Sequence, residues 1–441
     1  MVADPRRSMP GPGVVRVLSN LLLRGDDPLG NLERMQAAWG DVLTFRVAAD
    51  RVVLLSHPDD VEAVLVGGKD AVAKDRVTRT LSSVMGEGLL TAEGDLWKRH
   101  RKLLAPSFAP RQVAAYGDVM VARTRARLPA PGEVEIHHLM GELALDIVVR
   151  TLFGSEPSAE VDRVHPAIEK LMRIFEVENR SVWRFVPEWV PGPHRRDAAR
   201  WTAELQDVLG VVVARRRAGE PGPDLLWRML EARDEAGGLS DRELMDEAIT
   251  VFLAGHETTA ITLSFALWLL AGHPEAQERA RAEALALGAE ATTADVPRLS
   301  WITACVKEAM RLYPPAWAVA REIKSPLTVS GYELPVGAQV VLSPWIVHRD
   351  PRWWVEPLAY RPERFVAPSE PLHRFSFFPF GGGPRVCIGN HFAMLEATLA
   401  LATLLRHRRF TRVDDTLPAL LPAVTLRPRS GLHLRVEAAA P

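Results

Sequence analysis

Phe380-Gly381-Gly382-Gly383-Pro384-Arg385-Val386-Cys387-Ile388-Gly389 is the stretch from which the rest of this chain is best read. Consecutive glycines let a backbone bend closely around something flat. A cysteine follows them, and a helix is expected to start near Ile388 to Asn390. Backbone N–H groups at a helix start and the nearby Arg385 cation both favour the thiolate over the thiol. A thiolate held in this way suits axial ligation of haem iron. Taken as an isolated glycine-rich run with a cysteine, the same residues also fit a buried structural cysteine beside a turn.

Working outward, the composition sets bounds. The chain has 441 residues, 47% hydrophobic and 25% charged. That is ordinary globular composition, and it excludes a disordered chain, a collagen or a small disulfide scaffold. Lys+Arg number 54 and Asp+Glu 55, for a net charge of -1. No global basic excess drives binding to nucleic acid or an anionic membrane. The two cysteines, Cys305 and Cys387, fit a reducing compartment and cannot alone build a Cys-rich zinc or iron–sulfur site. Cys305 reads as a small buried hydrophobe.

Residues Ala248 to Ala271 are almost wholly apolar apart from threonines, Ser264 and the Gly255-His256-Glu257-Thr258-Thr259 cluster. An acid at the centre disfavours a membrane span, and a long helix through a large core explains the run better. The N-terminus carries no secretory signal and no expected membrane anchor.

The remaining pattern is mostly helical. Val42–Val47 and Arg51–Ser56 read as a hairpin, and His57-Pro58-Asp59-Asp60 starts a helix. Lys69 to Thr91 reads as a long loop. Leu143, Ile147, Val148 and Leu152 share a helical face, as do Ile168, Leu171, Met172 and Phe175, and Trp201, Leu205, Val208, Leu209 and Val212. Trp183 to His194 is an aromatic, proline-rich loop. Glu275–Leu287, Trp301–Leu312 and His391–Arg406 are further helices. Leu327–Leu342 is β-rich, His348–Pro384 is a meander without a convincing helix, and Val424–Val436 suggests a closing hairpin. The expected class is mainly α with small β-sheets, as one domain over residues 1–441, with residues 1–30 an irregular lead-in.

The complete pattern Phe-x-x-Gly-x-Arg-x-Cys-x-Gly resembles the haem-binding signature of the cytochrome P450 superfamily. Other motifs stand in that family's order. Glu308-Ala309-Met310-Arg311 resembles its Glu-x-x-Arg helix, and Pro362-Glu363-Arg364-Phe365 resembles the meander motif that adds Arg364. Trp97-Lys98-Arg99-His100-Arg101 resembles its Trp-x-x-x-Arg helix, where an i, i+4 pair can reach one anion. Ala254-Gly255-His256-Glu257-Thr258-Thr259 resembles its oxygen-activation motif, in which glycine and threonine can open the helix locally.

The resemblance implies the P450 fold, with haem b (iron protoporphyrin IX) between the long central helix and the cysteine loop. It implies Cys387 as the iron ligand and Phe380, Gly381, Gly389 and Ala254 around the cofactor. Trp97, Arg101, Arg321 and Arg385 are the implied propionate ligands. Glu308, Arg311 and Arg364 are implied as a structural network on the cysteine side. Thr258 is the implied hydrogen-bond donor to dioxygen, with Glu257 relaying protons. Leu90, Ala254, Thr258, Ala316, Trp317, Ala318 and Val424 are the implied pocket walls, with a lid from Val182 to Trp189.

That apolar set implies a lipophilic substrate: a terpenoid first, then a fatty acyl chain, steroid or polyketide. Dioxygen is the co-substrate. Electrons are expected from a separate ferredoxin- or flavodoxin-type donor, docking on Arg99, Lys102 and neighbouring bases. A cytoplasmic monooxygenase is the expected activity. A haem-thiolate peroxygenase or oxidative coupling enzyme, and a non-catalytic haem or ligand-binding protein, are the alternatives.

Overall fold

The longest element begins at Ser240. Its hydroxyl accepts the Glu243 N–H at 3.2 Å, and the Glu243 carboxylate accepts the Ser240 N–H at 2.7 Å. A cap of this kind stabilises a helix start by about 1 kcal/mol. In the computed structural model the helix then runs from Asp241 to Ala271. It starts well before the apolar run at Ala248, because the cap and first turn are polar and carry no hydrophobic signal.

The structure describes residues 8–13, 27–47, 49–154, 195–219, 222–366 and 373–439, with 167, 170, 171, 174 and 177. Its contacts group into two compact units. The first takes residues 1–79, 303–390 and 419–429, and the second takes 80–302, 391–418 and 430–441. Helices predominate and the sheets are small.

The first unit is built on a five-stranded sheet. Its strand order is Val42–Val47, Asp50–Leu55, Gln339–Leu342, Val319–Ile323, Val72–Lys74. The first two form the expected antiparallel hairpin, and Gln339–Leu342 adds in parallel to its second strand. Val53, Leu55, Val61, Val64, Ile323, Val340 and Leu342 form one fully buried cluster, with Phe375 and Phe378. A smaller cluster joins Leu29, Leu43, Leu54, Trp345, Ile346 and Leu426. The helix Pro28–Trp39 starts within the stretch expected to be irregular, where the Asp27 carboxylate accepts the Gly30 N–H.

The second unit is built on the central helix. From Ala248 to Ala271 it is buried on nearly all sides, and it packs along the helix Ile136–Phe153. A Cβ on Gly255 would stand 3.4 Å from Val148, so the glycine marks a close approach of these two helices. The helix Gly94–Leu104 lies in the same unit. Among the described residues no helix is long and apolar enough to cross a membrane.

Several sequence expectations are corrected. Lys69 to Thr91 is not one loop: it holds the strand Val72–Lys74 and the short helices Arg76–Thr80 and Ser82–Met85. That strand pairs with Val319–Ile323, a distant partner that local periodicity cannot reveal. The closing hairpin is instead two pairings. Leu420–Pro422 pairs with Leu426–Pro428, while His433–Ala438 sits between Arg408–Arg412 and Gly132–Glu135. Among the described residues the meander holds the short α-helix Glu363–Val366 and the single helical turns Arg374–Ser376 and Gly383–Arg385. The central helix is not opened at Gly255–Thr259 but stays helical throughout. Of the residues Ile168, Leu171, Met172 and Phe175, Leu171 is helical and buried, and the other three lie outside the described residues. Trp183 to His194, including the expected lid from Val182 to Trp189, also lies outside them.

Candidate functional site

In the first unit the cysteine loop is set by its glycines. Gly381 and Gly383 have φ of 71° and 67°, a region costly for any side chain. A Cβ on Gly383 would stand 1.9 Å from the Leu65 carbonyl oxygen. Phe378 accepts the Gly381 N–H at 2.9 Å, and Phe380 accepts the Cys387 N–H at 3.0 Å. The turn so closed leaves Cys387 exposed, whereas Cys305 is buried. Gly389 is adjacent: a Cβ there would lie 3.9 Å from Cys387 Sγ. Arg385 ends the short helical turn Gly383–Arg385.

Glu308, Arg311 and Arg364 come together in the same unit. Arg311 Nε and Nη2 both donate to the Glu308 carboxylate at 2.7 Å, with both side chains fully buried. Arg364 Nε donates to the same carboxylate at 3.2 Å, and the Arg361 N–H adds a bond at 2.9 Å. Arg311 also reaches the carbonyls of His348, Pro357 and Ala359. Both guanidinium groups lie by the face of Trp354, at 5.1 and 5.8 Å from its centroid. His348 completes this region. Its Nε2 accepts the Phe378 N–H at 2.9 Å, and burial, reinforced by Arg311 and Arg349, holds its pKa well below the ordinary histidine range. Arg321 is buried on the strand Val319–Ile323 and donates to the Ala320 carbonyl.

In the second unit Ala254 is exposed, and Gly255, Glu257 and Thr258 are half-buried, although Phe252, Leu253 and the run from Thr259 onward are buried. The middle of a core helix is thus open along one short stretch. The Thr258 hydroxyl donates to the Ala254 carbonyl at 2.8 Å, and Thr259 does the same to Gly255 at 3.0 Å. Both are bonds back to the i−4 carbonyl, within a helix that remains continuous. Trp97 and Arg101 are half-buried, one turn apart on Gly94–Leu104.

The bases between them behave differently from expectation. Arg99 is not a solvent-facing docking residue. It bonds Asp234 and Glu243, each at 2.9 Å, and the Gly238 carbonyl. His100 is fully buried between two carboxylates, 2.7 Å from Glu247 and 3.1 Å from Glu243. Burial lowers its pKa, but the two carboxylates outweigh burial and raise it above the ordinary histidine value. Glu243 is held down at about 2, despite burial, by its bonds to Ser240, by His100 and by Arg99. Lys102 is exposed. From the sequence His100 reads only as a base facing away from Trp97 and Arg101, and Glu243 and Glu247 carry no site expectation. The Ser240-x-x-Glu243 capping signature and the i, i+4 spacing of the two acids were the available signals.

Among the expected wall residues, Leu90 and Ala254 belong to the second unit, and Ala316, Trp317, Ala318 and Val424 to the first. Trp317 packs on the smaller hydrophobic cluster and its indole N–H donates to the Ala423 carbonyl at 2.9 Å, so much of its ring serves as core. Ala316 and Ala318 are half-buried, and Val424 is exposed. A cavity of about 410 Å³ in the second unit is lined by Ser82, Gln206, Arg242 and Asp246 among others, and by none of the expected wall residues.

The donor set fits a haem. An exposed cysteine sulfur stands on a rigid turn, and no group of three His, Cys, Asp or Glu among the described residues offers a competing metal site. A short solvent-accessible stretch of alanine, glycine and threonine lies on an otherwise buried helix, a surface that suits an apolar planar group. Trp97 and Arg101 in the second unit, and Arg321 and Arg385 in the first, each carry N–H donors of the kind that carboxylates accept.

The cytochrome P450 family model matches residues 9–434. A putative cytochrome P450 132 of Mycobacterium tuberculosis is 34% identical, over 93% of this chain and 92% of its own. Cyclooctatin synthase of Streptomyces melanosporofaciens is 31% identical, over 96% and 92%. Cyclooctat-9-en-7-ol 5-monooxygenase from the same organism is 30% identical, over 92% and 90%. The crystal structure of the cytochrome P450DA heme domain superposes with a TM-score of 0.88 at 26% identity, covering 100% of this chain and 99% of that one. The glycine-shaped cysteine turn, the helical fold and the end-to-end likeness converge: the chain belongs to the cytochrome P450 family, the haem-dependent monooxygenases.

Proposed function

We propose that this chain oxygenates a terpenoid, taking electrons from a separate ferredoxin- or flavodoxin-type donor in the cytoplasm. The observation that carries the reading is Cys387, exposed on a turn that Gly381 and Gly383 alone allow. The terpenoid class is supported by the apolar character of the candidate wall residues. It is also supported by two relatives whose names tie them to cyclooctatin and to monooxygenation of an unsaturated alcohol.

Haem, when bound, supplies the redox chemistry that places one atom of dioxygen in the substrate and the other in water. The chain's residues do the rest. Cys387 would hold the iron through an ionised sulfur. Trp97 and Arg101, and separately Arg321 and Arg385, would bind the propionates with N–H donors. Arg311 and Arg364, both bonded to Glu308, fix the backbone that carries the cysteine loop. Glu257 relays protons at the exposed stretch of the central helix, and Thr258 Oγ passes them on once it leaves the Ala254 carbonyl. The single domain over residues 1–441 is part of the same proposal.

The test is turnover of a panel of cyclic terpene alcohols, fatty acids and steroids with a surrogate ferredoxin and its reductase under ¹⁸O-labelled dioxygen. The expected result is a terpenoid product carrying one labelled oxygen. Labelled product from fatty acids or steroids alone overturns the substrate class. Product formed with peroxide but never with the electron donor makes the chain a peroxygenase.

A further inference from the structure

The helix Gly94–Leu104 carries Trp97 and Arg101, but its only fully buried polar residue is His100. Both ring nitrogens of His100 face carboxylates on successive turns of the central helix: Nδ1 faces Glu247 at 2.7 Å and Nε2 faces Glu243 at 3.1 Å. A neutral imidazole can donate from one nitrogen only, whereas the imidazolium donates from both. Glu243 is itself immobilised by the Ser240 cap and by Arg99, which in turn bonds Asp234 and the Gly238 carbonyl. The Glu247 carboxylate is fully buried. Two bonds from one ring to one neighbouring helix fix rotation about the helix axis as well as distance. At about 100° per residue, Trp97 and Arg101 lie about 60° and 100° around the axis from His100. Their direction is therefore set by where His100 is held.

We propose that His100 is a positioning residue: as an imidazolium clamped by Glu243 and Glu247, it sets the rotation of its helix and so aims Trp97 and Arg101 at a haem propionate. This rests on Trp97 and Arg101 being propionate ligands, and the test separates the two claims. The charged groups around the ring are Glu243 and Glu247 from the central helix, Asp246 beside them, and Arg99 and Asp234 in the same network. With both carboxylates ionised the clamp needs a proton on both ring nitrogens, so it weakens as pH rises through the raised pKa of His100, while burial raises the pKa of Glu247 as well.

The experiment measures the rate of haem transfer from the holoenzyme to excess apomyoglobin, from pH 6 to pH 9. It compares wild type, Arg101→Gln, His100→Gln, the double variant and Glu247→Gln. Arg101→Gln is expected to speed release about tenfold, and His100→Gln by a similar factor, with the double variant no faster than Arg101→Gln alone. Wild-type release should quicken toward alkaline pH, and the step should vanish in His100→Gln. Glu247→Gln, which keeps the ring and one carboxylate, should give a smaller rise of about threefold and serves if His100→Gln does not fold. Wild-type rates in His100→Gln and Glu247→Gln, or an effect that multiplies fully with Arg101→Gln, overturn the positioning role while leaving the propionate ligands standing. A wild-type rate in Arg101→Gln removes the propionate reading, and the proposal falls with it.

Discussion

Two buried ionic networks brace two regions of this chain, and they are built from different bases. In the first unit Glu308 is neutralised by Arg311 and Arg364, with Trp354 against both guanidinium groups. In the second unit Glu243 and Glu247 are met by His100, with Arg99 at the rim. Arginine keeps its charge as pH rises, so the first network holds through the alkaline range. Histidine titrates near neutrality, so the second is conditional. The cysteine loop region thus rests on a brace that rising pH leaves alone. The helix bearing Trp97 and Arg101 is held by one that pH can loosen. Each network also charges its own cost: a buried charge stripped of its partner destabilises far more than the pair contributes.

The sharpest way to break the comparison is Glu308→Gln. It leaves two buried guanidinium groups with one neutral partner, and it should cost about 3–5 kcal/mol. Chemical denaturation of the purified protein should show an early transition at every pH, and a shift under about 1 kcal/mol would deny the network its importance. Next is Gly383→Ala, which sets a Cβ against the Leu65 carbonyl in a left-handed backbone. It should cost about 1–3 kcal/mol and lower haem occupancy of the purified protein. Full occupancy with unchanged stability would mean the loop adapts freely.

Two histidines sharpen the contrast through pH. The folded pKa of His100 is raised above 6.5, so its stabilisation is complete below pH 6.5 and is lost as pH rises through the folded value. The folded pKa of His348 is depressed, so its stabilisation is complete above pH 6.5 and is lost as pH falls toward the folded value. Denaturation midpoints across pH should therefore lose their alkaline fall in His100→Gln and part of their acid fall in His348→Gln. The reverse assignment, or two unaltered profiles, would contradict the picture. The smallest stability effect belongs to Thr258→Ala, outside both networks. It removes one back-bond to Ala254 and should cost less than about 1 kcal/mol. Its product formed per electron consumed should nevertheless drop. A large loss of stability with unchanged coupling would make Thr258 structural.

What could be read in advance followed the range of the signal. The cysteine turn, the Glu308–Arg311 pair and the central helix are written in contiguous residues, and the structure contains each. The pairing of Val72–Lys74 with Val319–Ile323 depends on residues far apart in the chain, so the segment around it read as a loop. The rest of the second network was hidden for another reason. Arg99 and His100 look like ordinary surface bases until Glu243 and Glu247 are placed beside them. Glu396 is a further case. It is fully buried on the helix Asn390–His407, and burial drives its pKa well above the carboxylate range, yet its neighbours in sequence are plain helix formers.

The central claim is that Cys387 is the ionised ligand of a haem, and one spectrum tests it most directly. The dithionite-reduced holoenzyme under carbon monoxide should give a strongly red-shifted Soret band, the mark of a thiolate opposite the gas. A band where histidine-ligated or neutral-thiol haem absorbs, or a folded protein that takes up no haem when supplied with it, would contradict the account.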